Sequence, residues 1–298
     1  MRRPRFIAGA VVVVATIALA ACGGSSSGHA TTATDRGSVA DEPARSSAGI
    51  PRGGHYAALG SSFAAGPGIP TQSTACLRSD QNYPHLVAAK LGLALDDVSC
   101  SGATTANVLT VAQGSAPPQI DAVRADDALV TMTIGGNDID YSATAFVCAA
   151  DAKRGRSCLP TVDRAAITEA EAQLPSRLEA VIAAVRSRAP KATIVLVTYP
   201  EVVPPEGAAC PHLGLLPADA AFIAQMGADL ERTFLEVVQR THVLVADPYA
   251  VGDGHGPCAP AATRWVEGAV PRSPGFPFHP NGNGHQEMAH LVLAVVDG

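Results

Sequence analysis

Two patterns of hydrophobic and polar positions alternate along the chain from about residue 55 onward. In one pattern, short runs are almost entirely apolar, which is typical of strands buried on both faces of a parallel sheet. In the other, apolar residues recur every three or four positions, which is typical of helices with one buried face. The predicted strands are 55–59, 97–99, 128–134, 193–199 and 242–246, and the predicted helices are 83–91, 105–112, 165–189, 217–240 and about 284–296. This order predicts an α/β fold, a three-layer α/β/α sandwich around a parallel five-stranded sheet.

The segment before residue 55 shows neither pattern, and its first part is typical of an export signal. Arginines at positions 2, 3 and 5 precede an apolar run over 6–21, which is shorter than the roughly 20 residues of a membrane span. Cys22 directly follows Leu19-Ala20-Ala21, and this arrangement resembles the lipobox at which bacterial lipoproteins are cleaved and lipidated. We therefore predict a signal peptide over 1–21 and a lipid on the Cys22 thiol. The alternative is a plain secretory signal that is cleaved after small residues.

Residues 22–54 are rich in Ser, Thr, Ala and Gly and have no hydrophobic period, so we predict a flexible tether behind Cys22. The remaining residues, 55–298, suit one folded domain, since 47% of the 298 residues are hydrophobic. The expected location is the outer face of the cell membrane, with a fraction of the protein molecules secreted. The formal net charge is −6 and no Lys/Arg cluster follows the export signal, so we predict no nucleic-acid partner. We further expect a monomer.

Six cysteines remain when Cys22 is set aside. An even number in an exported protein indicates three disulfides, for which fifteen connectivities exist. We favour sequential pairing because the short spacing of the middle two cysteines suits a local loop; the pairs are Cys76–Cys100, Cys148–Cys158 and Cys210–Cys258. Neither Cys-x-x-Cys nor His-Glu-x-x-His occurs, so no metal site is predicted.

Four turns carry the residues that suggest chemistry. Ser62 follows the first predicted strand, Gly102 the second and Asn137 the third, while His279 lies in a Pro/Gly-rich loop before the last helix. The carboxyl ends of parallel strands meet at one edge of a sheet, where ligands commonly bind. Taken singly, each residue has an ordinary explanation: a helix cap, a Ser-Gly turn, an Asx turn and an exposed loop histidine.

In this order the four segments resemble the SGNH (GDSL) hydrolase superfamily, which is named after a Ser, a Gly, an Asn and a His in successive blocks. The pieces that carry the resemblance are Ala-Leu-Gly-Ser-Ser-Phe-Ala-Ala-Gly-Pro-Gly at 58–68, Thr-Ile-Gly-Gly-Asn-Asp at 133–138 and Phe-His-Pro-Asn-Gly-Asn-Gly-His at 278–285. Gly-His-Gly-Pro-Cys at 254–258 with Arg-Trp-Val at 264–266 further resembles secreted actinobacterial esterases and lipases, whose members carry three disulfides.

The resemblance implies a flavodoxin-like sheet and a serine hydrolase that needs neither metal nor cofactor. It assigns Ser62 as the nucleophile and His279 as the base. The N–H groups of Ser62 and Gly102 and the side-chain amide of Asn137 would form the oxyanion hole. With an unperturbed imidazole, activity would fade as the pH falls toward about 6.5.

Two positions depart from the family pattern. Ser61 stands where the family has Asp in Gly-Asp-Ser, which concerns the geometry of the loop more than the chemistry. Phe276 stands where the family commonly has an Asp three residues before the catalytic His, and some actinobacterial relatives orient the His with a main-chain carbonyl there. We therefore predict that the Phe276 carbonyl orients His279.

Two aspartates and two further histidines lie in the C-terminal part of the chain, and different roles are predicted for them. Asp247 and Asp253 are remote alternatives for orienting the catalytic histidine. His285 and His290 are predicted to lie on faces of the last helix.

The predicted function is hydrolysis of carboxylic (acyl) esters by an envelope-tethered serine esterase or lipase. The expected partner is an ester of a lipid, a glycolipid or an acylated polysaccharide. The alternative is a non-catalytic lipoprotein that binds a ligand on a degenerate SGNH fold. A solute-binding lipoprotein of a transporter is less favoured, because it would normally have two similar lobes.

Overall fold

The computed structural model describes residues 49–73, 75–204 and 210–297. The predicted signal peptide, the lipidated Cys22 and the tether up to residue 48 lie outside the described residues. Five strands form one sheet: β1 (His55–Gly60), β2 (Ala94–Asp97), β3 (Asp127–Thr133), β4 (Thr193–Val197) and β5 (Leu244–Ala246). Their order is β2-β1-β3-β4-β5 and every pairing is parallel, which confirms the predicted flavodoxin-like arrangement.

The helices of the described residues lie in two layers. They are α1 (Ser62–Ala65), α2 (Tyr83–Leu91), α3 (Thr105–Leu109), α4 (Tyr141–Ala152), α5 (Arg164–Arg188), α6 (Pro217–Thr241) and α7 (Gly282–Asp297). α2 and α7 pack on one face of the sheet, and α3 to α6 pack on the opposite face. The three-layer prediction is therefore confirmed. Among these helices, none has both the length and the apolarity needed to cross a membrane.

The continuous apolar runs of the strands follow from this layering. In β1, Ala57 and Leu59 face the side of α3 to α6, whereas Tyr56 and Ala58 face α2 and α7. All four side chains are fully buried. A strand with helices on both faces has no solvent-facing side, so its sequence is apolar at successive positions rather than at every second one. For this reason the hydrophobic pattern located β1, β3 and β4 to within two residues at each end.

Two elements differ from their predictions. β2 lies at Ala94–Asp97 and not at 97–99, because the Asp97 carboxylate accepts hydrogen bonds from the N–H and the hydroxyl of Ser99 (3.0 and 2.6 Å) and ends the strand. No helix is predicted where the structure has α4. Its buried positions have helical spacing, but Tyr, Thr, Ala and Cys occupy them instead of large aliphatic residues: 141, 144, 145, 148 and 149. Smaller differences, of two or three residues, occur at the ends of α3, β4 and β5.

Three disulfides join the cysteines in the predicted pairs, Cys76–Cys100, Cys148–Cys158 and Cys210–Cys258. The first pair joins the loop after α1 to the turn after β2, so it ties together two of the segments that carry candidate residues. The second pair closes the chain after α4 onto that helix.

One compact group of potential metal ligands occurs in the described residues, namely Cys148, Cys158 and Asp219. Both sulfurs are joined in a disulfide, and the Asp219 carboxylate accepts hydrogen bonds from the Ser157 hydroxyl (2.5 Å) and the Cys158 N–H (3.3 Å). Since a metal-binding cysteine must be a thiolate, this group does not fit a metal ion.

Candidate active site

Ser62 lies at the carboxyl edge of the sheet, where β1 ends and α1 begins. The chain turns there because Gly60 has a φ of +145° and packs so closely on β3 that a Cβ would lie 2.7 Å from the carbonyl oxygen of Thr133. The side chain of Gln119 accepts a hydrogen bond from the Gly60 N–H (2.7 Å) and donates one to the Gly60 carbonyl (3.0 Å). The N–H and the carbonyl of Gly60 are thus both hydrogen-bonded to Gln119, which holds the turn before Ser62 in place.

The imidazole of His279 contacts Ser62 from the loop before α7. Its Nε2 lies 2.7 Å from the Ser62 Oγ, and its Nδ1 lies 2.7 Å from the carbonyl oxygen of Pro277. A carbonyl only accepts hydrogen bonds, so Nδ1 carries the proton and Nε2 accepts from the Ser62 hydroxyl. The structure therefore brings together the serine and the histidine that the sequence singled out, although they are 217 positions apart.

The carbonyl that orients His279 belongs to Pro277, so the prediction of Phe276 was wrong by one residue. The Phe276 carbonyl instead accepts the backbone N–H of His279 (3.2 Å). That bond closes a tight turn in which Phe278 has a left-handed φ of +57°. Because the Phe276 carbonyl is used in closing the turn, the Pro277 carbonyl is the one directed at the imidazole.

The two remote carboxylates do not contact His279. Asp247 accepts hydrogen bonds from the Thr198 hydroxyl (2.8 Å) and from the N–H groups of Tyr249 and Ala250 (3.1 Å each). Asp253 is exposed at the surface. In the part of the chain that the structure describes, the site is therefore a Ser–His pair without a carboxylate.

Burial lowers the pKa of His279 to about 4, and the hydrogen bond to the Pro277 carbonyl opposes this shift. Three aromatic rings surround the imidazole, with centroid separations of 4.7 Å for Phe63, 5.3 Å for Phe276 and 6.2 Å for Phe146. The imidazole is therefore neutral, and able to accept a proton, at neutral and mildly acidic pH. We accordingly replace the expected fading of activity near pH 6.5 with one near pH 4.

A buried ion pair supports the loop that carries His279. Arg264 and Glu267 are fully buried, with Arg264 Nε 3.0 Å from Glu267 Oε1, and this oxygen also accepts a hydrogen bond from Asn281 Nδ2 (2.8 Å). The Glu267 N–H donates to the His279 carbonyl and the Glu267 carbonyl accepts from the Phe278 N–H, both at 3.1 Å. Burial raises the pKa of Glu267, but the hydrogen bonds that its carboxylate accepts outweigh burial and lower the pKa below its usual value. Glu267 is therefore a charged anchor for the turn.

The turns that contain Gly102 and Asn137 are hydrogen-bonded to their neighbours at the same edge of the sheet. The backbone N–H two residues before Gly102 donates to the Gly60 carbonyl (3.0 Å), and the Asn137 side-chain amide donates to the Ala103 carbonyl (2.8 Å). Gly102 has a φ of +86°, a conformation that favours glycine. Within the described residues, the N–H groups of Ser62 and Gly102 bond to no acceptor. Two backbone donors at this edge are thus available to a ligand.

Ser61, which stands where the family has Asp, contacts the hydroxyl of Tyr199 (3.3 Å). The same hydroxyl accepts a hydrogen bond from the Gly136 N–H (2.9 Å), and burial raises the pKa of Tyr199 to about 12, so it stays protonated. A Cβ on Gly136 would lie 2.8 Å from the Tyr199 ring. Tyr199 therefore links the first turn to the third. Sequence reasoning missed it because it is the last residue of the predicted strand 193–199 and lies outside all four motifs.

His285 and His290 both lie on α7, as predicted. His285 is fully buried against Tyr83, whose backbone N–H donates to His285 Nδ1 (3.2 Å). Burial lowers the pKa of His285 to about 3, with a smaller contribution from His279. His290 is exposed and lies 3.4 Å from the Glu287 carboxylate.

A cavity of about 610 Å³ adjoins the turn of Asn137. Hydroxyl and charged side chains make up much of its lining, together with three apolar residues; the lining residues are Thr104, Thr105, Ala106, Leu109, Thr110, Asn137, Asp138, Ser176, Arg177 and Ala180. Asp138 accepts hydrogen bonds from the N–H and the hydroxyl of Thr105 (3.0 and 2.5 Å) and lies 3.5 Å from Arg177. The two charges thus partly offset each other, so the cavity has no strong net charge.

The chain is similar to known lipases over most of its length. Residues 58–287 match the GDSL-like lipase/acylhydrolase family. Lipase 2 of Streptomyces coelicolor is 32% identical over 251 residues, which cover 81% of this chain and 85% of that lipase. The crystal structures of an extracellular lipase from Streptomyces rimosus (28% identity, covering 81% of this chain and 99% of that one) and of phospholipase A1 from Streptomyces albidoflavus NA297 (26%, 82% and 99%) both superpose with a TM-score of 0.67. The chain therefore belongs to the GDSL-like lipase/acylhydrolase family and is a carboxylic ester hydrolase.

Proposed function

We propose that the protein is a serine esterase or lipase in which Ser62 is the nucleophile and His279 is the general base. The observation that carries this proposal is the 2.7 Å contact between Ser62 Oγ and His279 Nε2, together with the Pro277 carbonyl on Nδ1. The two contacts place the lone pair of the imidazole on the serine hydroxyl, which is the arrangement that activates a serine.

The reaction has two halves. His279 Nε2 takes the hydroxyl proton as Ser62 Oγ attacks the ester carbonyl. The resulting imidazolium then donates that proton to the leaving alcohol oxygen as the C–O bond breaks, which leaves an acyl group on Ser62. In the second half, His279 takes a proton from water, the hydroxide formed attacks the acyl group, and the proton returns to Ser62 Oγ as the acid leaves.

The tetrahedral intermediate carries a negative oxygen, and we assign its donors to Ser62 N–H, Gly102 N–H and the Asn137 side-chain amide. Neither backbone N–H has another acceptor in the described residues, and one hydrogen of the Asn137 amide is used by the Ala103 carbonyl while the other is available. Removal of one such donor typically lowers the rate by about 10²–10³.

The non-catalytic alternative rests on the two departures from the family pattern, Ser61 and Phe276. The Pro277 carbonyl offsets the second departure, because it selects the tautomer that catalysis requires. It stabilises the imidazolium less than a carboxylate would, so we expect modest turnover rather than none.

We further propose that Cys22 carries a lipid and that a monomeric enzyme acts at the outer face of the membrane on esters of lipids, glycolipids or acylated polysaccharides. The support is the sequence Leu19-Ala20-Ala21-Cys22, in which the cysteine directly follows the end of the apolar run. Replacement Cys22→Ala should move the protein from the membrane fraction to the medium. Retention of that variant in the membrane fraction would contradict a lipid anchor.

The test of the catalytic assignment is hydrolysis of p-nitrophenyl acetate, butyrate and palmitate by wild type, Ser62→Ala and a matched control, Ser187→Ala, on the exposed face of α5. We expect activity to be lost in Ser62→Ala alone. A fluorophosphonate should label wild type and Ser187→Ala and leave Ser62→Ala unlabelled. Equal turnover in wild type and Ser62→Ala would contradict the assignment.

A further inference from the structure

Two of the rings around His279 are accessible from outside. Phe63 is 1% exposed, whereas Phe276 is 38% exposed and Phe146 is half-buried. The Phe146 and Phe276 rings pack edge to face, with centroids 5.7 Å apart and an interplanar angle of 73°. We refer to Phe146 and Phe276 together as the aromatic ledge. Exposure of aromatic surface costs free energy in water, so an apolar ligand group that covers the ledge would bind favourably.

The chemistry of the site decides which part of an ester lies beside the ledge. In the tetrahedral intermediate, the carbonyl oxygen faces the donors of Gly102 and Asn137. The leaving oxygen must lie within hydrogen-bond distance of His279 Nε2, because the imidazolium donates its proton there as the C–O bond breaks. The alcohol part of the ester therefore lies against the imidazole and against the exposed rings packed on it.

From this geometry we propose that the aromatic ledge binds the alcohol part of the substrate and selects esters of apolar, alkyl-bearing alcohols. The inference deepens the proposed serine-esterase function and rests on it. Neither Phe146 nor Phe276 lines the cavity beside Asn137, so a substrate group that enters that cavity does not cover the ledge.

The position of the ledge is set by the backbone. Gly68, in the loop after α1, packs so closely that a Cβ on it would lie 2.5 Å from the Phe276 N. Phe146 also contacts the buried ring of Phe278, with centroids 5.8 Å apart. Both rings of the ledge are thus held beside His279 by contacts that do not involve a substrate, as a preformed binding surface requires.

Two series of soluble esters that share ethyl acetate test the proposal. Ethyl, butyl and hexyl acetate lengthen the alcohol, and ethyl acetate, butyrate and hexanoate lengthen the acyl group. We compare kcat/KM within each series for wild type, Phe146→Ala, Phe276→Ala, Phe276→Leu and Leu235→Ala, the last an exposed apolar control on α6 that matches Phe276 in exposure. Ratios within one variant do not depend on the fraction of folded enzyme.

In wild type and in Leu235→Ala, the ratio of hexyl to ethyl acetate should be about tenfold, which corresponds to partial burial of the added methylenes. Phe146→Ala and Phe276→Ala should each lower that ratio several-fold and leave the hexanoate-to-acetate ratio unchanged, while Phe276→Leu should retain most of the preference. A change confined to the acyl series, or no change in either series, would overturn the proposal. If wild type hydrolysed all of these esters no faster than Ser62→Ala does, the proposed function itself would be overturned.

Discussion

His279 and His285 are both buried imidazoles, six positions apart, and both have pKa values lowered by burial, to about 4 and about 3. Their partners differ. A carbonyl accepts from His279 Nδ1, whereas the Tyr83 N–H donates to His285 Nδ1. The proton is therefore on Nδ1 in His279 and on Nε2 in His285, so the two rings are opposite tautomers. Burial alone does not make a general base; the group on the other nitrogen decides whether Nε2 can accept a proton.

The largest expected effect is the difference in kcat/KM between a substitution of His279 and one of His285. His279→Ala should lower kcat/KM by at least about 10⁴-fold, since nucleophile and base act as a unit. His285→Gln should change kcat/KM by no more than a few-fold, because its ring contacts Tyr83 and not Ser62. Steady-state hydrolysis of p-nitrophenyl butyrate measures both. Comparable losses in the two variants would contradict the distinction.

The second effect concerns the support of the His279 loop. Glu267→Ala should lower the free energy of unfolding by about 3–5 kcal/mol, because it leaves Arg264 charged and unpaired in the interior. Glu179→Ala, which breaks an exposed pair with Arg240, should cost about 0–1 kcal/mol. Urea unfolding measures both. Equal losses of unfolding free energy in the two variants would mean that the buried pair stabilises the fold no more than the exposed pair does.

The position of the loop that carries His279 can also be changed at Gly68, which packs against the backbone before His279. Gly68→Ala would bring a Cβ to 2.3 Å from the Gly275 carbonyl carbon, so the backbone before His279 must shift, and we expect kcat to fall about tenfold. Gly114→Ala has the same left-handed strain, with φ of +62° against +82°, but its Cβ would meet open space. It should lose about 1 kcal/mol of stability and keep its kcat. Equal kcat values in the two variants would show that the contact does not position the catalytic loop.

The last prediction concerns stability in acid. The unfolded chain binds protons at its histidines below about pH 6.5, while the folded chain keeps His279 and His285 neutral to lower pH, so stability falls as the pH drops from about 6.5 toward about 4. The contribution of His279 is about 3 kcal/mol by pH 4. Glu231, whose pKa burial raises to about 8, acts with the opposite sign, so the useful quantity is the difference between wild type and His285→Gln.

That difference should shrink progressively below about pH 6.5, because the variant lacks one of the two neutral buried imidazoles. Urea unfolding at several pH values between 8 and 4 measures it. A constant difference across this range would mean that His285 binds protons equally well in the folded and unfolded chains.

The sequence was informative wherever one local feature carries the answer. Continuous apolar runs located β1, β3 and β4, and the four motifs located Ser62 and His279. It was less informative where the answer depends on three-dimensional context. Charges three positions apart, such as Arg264 and Glu267, are normally a surface pair, and only the fold shows that both are buried.

The choice between two successive carbonyls depends on the backbone rather than on residue type. The left-handed φ of Phe278 decides that Pro277, and not Phe276, faces His279, and a phenylalanine gives no local signal for that conformation. The shifted pKa of His279 likewise follows from rings that come from three separate segments of the chain.

The most direct test of the account is the tautomer of the two histidines, measured by ¹⁵N–¹H correlation in histidine-labelled protein, with His279→Ala used for assignment. The account predicts that His279 carries its proton on Nδ1 and titrates near pH 4, and that His285 carries its proton on Nε2. A His279 ring protonated on Nε2, or one that titrates near pH 6.5, would contradict the claim that the Pro277 carbonyl prepares a buried, neutral base for Ser62.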